Sequence, residues 1–384
     1  MELISILNMN LQRIFLSPPH MGGTEQNYIA QAFHENWIAP AGPNLALFEN
    51  KLIDFLQEDV QAVALQSGTA AIHLGLQMLG VQKDDEVLCQ SLTFIASVNP
   101  ILYLGATPVF VGSESTTWNM CPIALENAIV NRLQNGKLPK AIIIVHLYGM
   151  PAKMNELLAV SKKYNIPILE DSAEAFGSSY HGKACGTFGT FGVISFNANK
   201  IITTSGGGAL ISKSIEEKDQ ALFLATQAKD TAPHYQHSQM GYNYRMSNIA
   251  ASIGLGQLEI VQNHIKLRRK NHAFYQEIFN QMTSVNLLHE PNAAFVSNHW
   301  LSVILLPCLE QREALRLHLE HYNIESRPVW KPMHLQPLFE KNLYFGDDFA
   351  TDVFHKGLCL PSGSSLNSAE LNRIKTALTL FFKN

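Results

Sequence analysis

Between residues 60 and 210, short continuous apolar runs alternate with stretches whose apolar residues recur at helical spacing. The runs are Val60–Leu65, Glu86–Cys89, Thr107–Val111, Ala141–Val145, Pro167–Leu169, Val193–Phe196 and Gly208–Ile211. Helical patterns lie between them, near 69–80, 94–104, 121–134 and 152–164. Apolar runs of this length suit strands buried on both faces. Their alternation with helices predicts a mostly parallel, doubly covered sheet. In such sheets ligands bind beyond the carboxyl ends of the strands.

Upstream, Tyr28, Ile29, Ala32 and Phe33 predict a helix over 24–36, with Thr24 at its N-cap. The loop 37–43, with two prolines and a glycine, cannot be regular structure. Downstream, 247–280 reads as one long helix that links two domains. The remainder, about 285–384, reads as a smaller α/β unit with a strand at Trp300–Leu306 and helices near 309–321 and 368–382. The expected division is a large cofactor-binding domain over 1–250, including an N-terminal arm, and the interdomain helix with a small C-terminal domain over 251–384.

Composition narrows the function classes. The 384 residues are 46% hydrophobic and 16% charged, enough for a large buried interior. The formal charge of −4 and the lack of a basic stripe argue against a nucleic-acid partner. The densest basic run, Lys266-Leu267-Arg268-Arg269-Lys270, falls in the helical pattern and reads as a solvated face. Five scattered cysteines without a C-x-x-C pair fit reduced thiols in the cytoplasm rather than a disulfide framework or a zinc site. The first residues carry an acid at position 2 and no basic n-region, so no secretion signal is expected. No apolar run reaches the roughly 18 residues that span a bilayer, so no membrane partner is expected. The pairs His234/His237 and His318/His321 have i, i+3 spacing but no evident third ligand, so no metal site is expected.

The candidate chemistry centres on 168–210. An apolar run there ends on Glu170 and Asp171, and a second delivers a single lysine, Lys200. A carboxylate at a buried strand end needs a cation or a hydrogen-bond partner. It can equally cap the next turn. Glu174, three residues on, can reach the same ligand or lie at the surface. A partly desolvated lysine becomes a nucleophilic amine, whereas one among apolar neighbours more often reaches to solvent. Further upstream, Gln66-Ser67-Gly68-Thr69 opens a helix after a strand. Small residues at a helix start suit either a simple N-cap or an anion bound by free N–H groups. Ser195 could add a phosphate contact. An anion site, an acid for a ring nitrogen and an amine for an aldehyde are the three handles that hold pyridoxal phosphate.

The stretches SGTAAIHLGLQ, EDSAEAFGSSYHGK, GTFGTFGVISFNANKIITTSGGGAL and GYNYRMSN together resemble the DegT/DnrJ/EryC1/StrS sugar aminotransferases. The resemblance covers roughly 14–383. FLSPPHMGG, WIAPAGP, HLYG, RPVWKPMH and CLPSG are most similar to aminotransferases of the bacillosamine pathway. It implies the type I aminotransferase fold, with a large domain on a mostly parallel seven-stranded sheet and a smaller C-terminal α/β domain. It implies pyridoxal 5'-phosphate as cofactor, L-glutamate and a nucleotide sugar as substrates, and a homodimer with shared active sites.

Lys200 would join the cofactor aldehyde and move protons. Asp171 would pair with the pyridine nitrogen, and Glu174 would lie near the ring hydroxyl, a place where the family often has Gln. Gly68, Thr69 and Ser195 would hold the phosphate, with Asn243 supplied by the partner. Phe94 would stack on the pyridine ring. Arg245, Arg327, Trp330 and His334 become candidates for the nucleotide sugar, Arg by pairing to diphosphate and Trp by stacking.

The expected reaction is transfer of an amino group from glutamate to C4 of a nucleotide-linked 4-keto-6-deoxy sugar. The preferred substrate is UDP-2-acetamido-2,6-dideoxy-hexos-4-ulose, and GDP- or dTDP-linked sugars are the alternatives. A dehydratase on the same scaffold would carry His in place of Lys200. A non-catalytic cofactor-binding protein would not need the Lys–Asp pair. A nicotinamide enzyme would need a strand-to-helix glycine turn that Gly186-Thr187-Phe188-Gly189 does not supply.

Overall fold

The computed structural model describes residues 12–280 and 282–383. The stretch expected to lack a secretion signal therefore lies, up to residue 11, outside the described residues.

All seven apolar runs form strands of one sheet. Its order is Gln61–Leu65, Gly208–Ser212, Phe191–Ser195, Ile168–Asp171, Ala141–Val145, Glu86–Gln90 and Thr107–Val111. An eighth strand of two residues, Tyr344–Phe345, joins the edge beside Thr107–Val111. The expected count of seven is thus corrected to eight, because two residues are too short to leave an apolar pattern. Only Gly208–Ser212 runs antiparallel to its neighbours. Glu86–Gln90 and Ala141–Val145 are buried along their whole length, which is why they read as continuous apolar runs.

Strand Ile168–Asp171 runs further than its apolar run, because Asp171 stays in register with Val145 and Val193. Alternation sends its residues to opposite faces. Leu169 packs with Ala71, Ile72 and Leu74 of the helix Gly68–Met78. Ile168 packs on the other side with Leu157 and Val160 of the helix Met154–Tyr164.

The pattern over 94–104 is not one helix. Pro100 divides it into a short 3-10 turn, Ile95–Ser97, and the helix Asn99–Tyr103, since proline lacks the N–H and disfavours helix before it. The helix Glu25–His34 is not capped by Thr24 as expected. The Thr24 hydroxyl donates to Glu259, and the Glu25 carboxylate instead takes the Gly22 and Gly23 N–H groups at 2.7 Å each. Three further helices escaped the pattern: Pro43–Leu56, with Pro at its first position, Ile215–Ala225, held by a capping box between Ser214 and Glu217, and the eight-residue Phe349–Lys356.

The helix Asn248–Phe279 runs 32 residues, with the Ser247 hydroxyl accepting the Ala250 N–H at its start. Beyond it lies an antiparallel sheet of Asn286–Leu287, Ser302–Leu305, Gly357–Leu360 and Arg327–Pro328. The helices Leu309–His321 and Ser368–Lys383 cover it through Leu315, Leu319, Ile374 and Leu378. The N-terminal arm belongs to this second sheet's surroundings: Ile14 bridges Ile324, and the Leu16 carbonyl accepts the Ser362 N–H at 2.7 Å.

One residue of the basic run is not solvated. Arg268 is 1% exposed. Its guanidinium donates to the carbonyls of Trp300 and Ser362 and to the Ser17 hydroxyl. Burial without a carboxylate lowers its pKa to about 9. The helical pattern was visible, but not that this face turns inward. No described helix is long and apolar enough to cross a membrane.

Candidate active site

A cavity of about 580 Å³ opens beyond the carboxyl ends of the strands that finish at Asp171 and Ser195. Its floor is built by a helix start and two close approaches of chain. The helix Gly68–Met78 starts there, with the Ser67 hydroxyl accepting the Ala70 N–H at 3.0 Å. A Cβ on Gly68 would stand 3.1 Å from the Ser195 Cβ. A Cβ on Gly208 would stand 2.5 Å from the Gly68 nitrogen. At Gly208 only glycine permits this packing, and at Gly68 a side chain would be tight; the arrangement leaves the positive end of the helix facing the cavity beside Thr69 and Ser195.

Asp171 enters from the next strand. It is 4% exposed and has two donors: Ser97 Oγ at 2.7 Å and the Ala173 N–H at 3.1 Å. Burial pushes its carboxyl pKa up, against the pull of those donors and of Lys200. Such a carboxylate has capacity for a cation.

Its neighbour Glu170 points to the other face and is fully satisfied. His146 Nε2 lies 2.7 Å from it, and the N–H groups of Gly186, Phe188 and Gly189 also donate to it. Burial pushes this carboxyl up, but the donors prevail and hold it below the usual range. The Ala152 N–H donates to His146 Nδ1 at 2.9 Å, so the ring keeps a lone pair there and its proton on Nε2.

Lys200 sits on the turn after Ser195, with its own N–H bonded to the Asn197 carbonyl at 2.9 Å. Its side chain is 12% exposed, and its amine lies 3.3 Å from Glu174 Oε1. The other Glu174 oxygen accepts the Tyr148 N–H at 2.7 Å. Burial raises the Glu174 pKa to about 7, opposed by Lys200 and that N–H.

The open wall comes from distant chain. Phe94 is half exposed, with its ring 5.3 Å from that of Trp330. Trp330 also meets Tyr148 at 5.1 Å. Arg327 lines the mouth with its side chain 70% exposed and paired to Glu325.

The structure thus gathers Gly68, Thr69, Phe94, Asp171, Glu174, Ser195, Lys200, Arg327 and Trp330 around one cavity. Three expected residues lie outside its lining. Asn243 is exposed, on a backbone bridge to Thr226. The Arg245 guanidinium is paired with the buried Glu49 and the Ala64 carbonyl, so it is not aimed at a diphosphate. His334 stacks on Tyr344 at 3.8 Å and bonds Ser91 at 2.7 Å. Three contributors were missed. Ser97 and Ala173 hold Asp171, and Trp300 lines the cavity. Ser97 was open to inference, because it lies three residues past Phe94 in LTFIAS.

Among the described residues, two side-chain groups have metal-ligand types: the buried His146, Glu170 and Cys185, and His272, Glu290 and His299, of which Glu290 is partly exposed. In the first, both ring nitrogens of His146 already have partners. In the second, the histidine rings stack face to face at 3.6 Å, so one ion cannot lie in both ring planes.

These residues fit pyridoxal phosphate. The glycine cradle would receive the phosphate, Asp171, with only two donors, would receive a ring cation, and the Lys200 amine faces the same space. A model of the DegT/DnrJ/EryC1/StrS aminotransferase family matches residues 19–379. The chain is 47% identical over 375 residues to the pyridoxal phosphate-dependent aminotransferase EpsN, so named, of Bacillus subtilis (strain 168), covering 97% of this chain and 96% of that one. It is 38% identical over 367 residues to the GDP-perosamine synthase of Escherichia coli O157:H7, covering 95% and 98%. The PLP form of Spr1654 from Streptococcus pneumoniae, named as a sugar aminotransferase, superposes with a TM-score of 0.87 at 28% identity over 97% of this chain and 99% of that one. The chain belongs to the DegT/DnrJ/EryC1/StrS aminotransferase family and is a pyridoxal-phosphate-dependent sugar aminotransferase.

Proposed function

We propose that this chain transfers the amino group of L-glutamate to C4 of a nucleotide-linked 4-keto-6-deoxy sugar. The first choice of substrate is UDP-2-acetamido-2,6-dideoxy-hexos-4-ulose, giving a UDP-4-amino-4,6-dideoxy-N-acetylhexosamine of the bacillosamine or legionaminic acid type. The observation that carries the reaction type is the Lys200 amine and the under-donated Asp171 in one cavity beside a glycine-built anion cradle.

When bound, pyridoxal phosphate supplies an aldehyde that exchanges amino groups and a ring that accepts electrons. The chain supplies the rest. Gly68, Thr69 and Ser195 hold the phosphate against the helix start. Asp171 stays ionised against the ring nitrogen, steadied by Ser97. Lys200 would hold the aldehyde, and its Nζ would be the group that takes up and returns the proton of the amino acid's α-carbon. Glu174 lies 3.3 Å from that amine and would face the ring hydroxyl. Phe94 covers the ring. Trp330 stacks on the sugar or base, and Arg327 meets the diphosphate.

The reading includes a homodimer in the cytoplasm, with Asn243 completing the partner's phosphate site. Its exposure outside its own cavity supports this. It also includes a cofactor-binding part over 1–250 and a smaller part over 251–384. The N-terminal arm would move with the second, since Ile14 pairs with Ile324.

A GDP-linked sugar is the second reading, favoured by the GDP-perosamine synthase relative. Lys200→Ala should lose covalent cofactor attachment and both half-reactions; a variant that turns over at the wild-type rate sinks the assignment. The pyridoxamine form, given UDP-, GDP- and dTDP-linked 4-keto sugars in turn, should regain its visible absorbance fastest with the UDP-N-acetyl sugar. A faster response to the GDP sugar replaces the first substrate by the second.

A further inference from the structure

The Lys200 amine has a second neighbour besides Glu174. It stands 4.1 Å from the centroid of the Trp300 ring. Trp300 is 3% exposed, and its indole N–H donates to the Asn199 carbonyl at 2.7 Å. One side chain therefore touches both the amine and the peptide group just before it.

The indole is itself held by a closed circuit. The Ser17 hydroxyl donates to the same Asn199 carbonyl at 3.0 Å. Arg268 donates to that hydroxyl at 3.0 Å and to the Trp300 carbonyl at 2.6 Å. Asn298 adds a second anchor. Its Oδ1 accepts the Trp300 backbone N–H at 2.8 Å, and its Nδ2 donates to the Glu174 carbonyl at 2.8 Å. The ring is thus fixed relative to both Lys200 and Glu174. The N-terminal arm, the long helix and the segment 298–300 meet at this point.

A tryptophan that only filled the core would need some acceptor for its N–H. It would not need the carbonyl next to the reactive lysine, nor an ammonium over its face. An aromatic face attracts a desolvated ammonium. A lysine stem has four rotatable bonds, so a held amine starts closer to reacting geometry than a free one.

We propose that Trp300 is a positioning residue for the reactive amine: its ring face seats the Lys200 ammonium, and its N–H fixes the turn that carries it. This rests on the reading of Lys200 as the attachment residue.

The test compares wild type with Trp300→Phe, which keeps a face but loses the N–H, and with Trp300→Leu and Trp300→Met, which lose both. In cofactor-free protein, an amine-acylating reagent labels lysines, and peptide mass spectrometry reads Lys200 relative to Lys163, whose side chain is 62% exposed. Thermal unfolding checks that each variant folds, and Met stands in if Leu does not.

Relative labelling of Lys200 should rise about tenfold in Leu or Met and no more than about threefold in Phe. In loaded enzyme, kcat should fall at least tenfold in Leu or Met, with KM for the nucleotide sugar within about threefold and most of kcat restored in Phe. Equal labelling in all folded variants overturns the proposal. So does a raised KM at unchanged kcat, which would make Trp300 a substrate contact. Labelling requires no catalysis, so its outcome is separate from that of Lys200→Ala.

Discussion

Glu170 and Asp171 are adjacent on one strand, and both are buried, but they face opposite sides of the sheet and meet different company. Glu170 receives one imidazole and three backbone N–H groups. Asp171 receives one hydroxyl and one N–H. Burial raises both carboxyls, and only at Glu170 do the donors prevail. A buried acid with a full set of donors holds the fold. One with too few, at a cavity wall, awaits a positive ligand.

The sharpest way to break this comparison is to exchange the consequences. Glu170→Ala strips the partners of three N–H groups and His146. It should cost about 3–5 kcal/mol in denaturant unfolding of the cofactor-free protein. Unfolding at the wild-type midpoint would show that the donors around Glu170 do little for the fold. Asp171→Asn should behave in the opposite way. The amide oxygen still accepts the Ala173 N–H, and the amide NH2 donates to the Ser97 hydroxyl, whose own proton turns to Thr93, so unfolding should shift by less than about 1 kcal/mol. Activity should fall at least about a hundredfold, because the charge facing the ring nitrogen is gone. Steady-state kinetics on cofactor-saturated enzyme checks it, and a loss under fivefold would mean that Asp171 is not the ring's partner.

Glu174 lies between these extremes. Its folded pKa, near 7, stands above the ordinary 4.5. A carboxyl with a raised folded value keeps its proton in the folded chain where the unfolded chain has lost it. Its contribution to stability is therefore full below about 4.5 and declines as pH rises through about 7. Glu174→Gln does not titrate. The cofactor-free variant should gain roughly 2–4 kcal/mol over wild type between acidic pH and pH 8. Parallel pH–stability curves for the two proteins would show that Lys200 already keeps Glu174 ionised.

The same contrast explains how much could be read from the chain. Asp171, Lys200 and the Gly68–Thr69 turn lie within or just after apolar runs, so their placement follows from where strands end. The sheet was legible for the same reason. Arg268 was misread because a helical period does not say which face turns inward when a second domain packs there. Arg245 and His334 sit near family motifs, yet their partners, Glu49 and Tyr344, come from chain about 196 residues before and 10 after. Pairings between distant segments leave no local pattern. Trp300 was hidden in the same way: its acceptor, Asn199, lies 101 residues upstream.

Arg327 gives the smallest expected effect and extends the contrast to the cavity mouth. Its side chain is 70% exposed, and its one partner, Glu325, is two residues away. An exposed pair of this kind contributes little, so Arg327→Ala should leave unfolding within about 0.5 kcal/mol of wild type. If the guanidinium meets the substrate diphosphate, KM for the nucleotide sugar should rise about tenfold, while kcat and the glutamate half-reaction stay within about twofold. The rise should shrink in high salt, because an exposed charge pair is screened. A KM unchanged at low salt would remove Arg327 from the sugar site and leave stacking at Trp330 as the mouth's contribution to substrate choice.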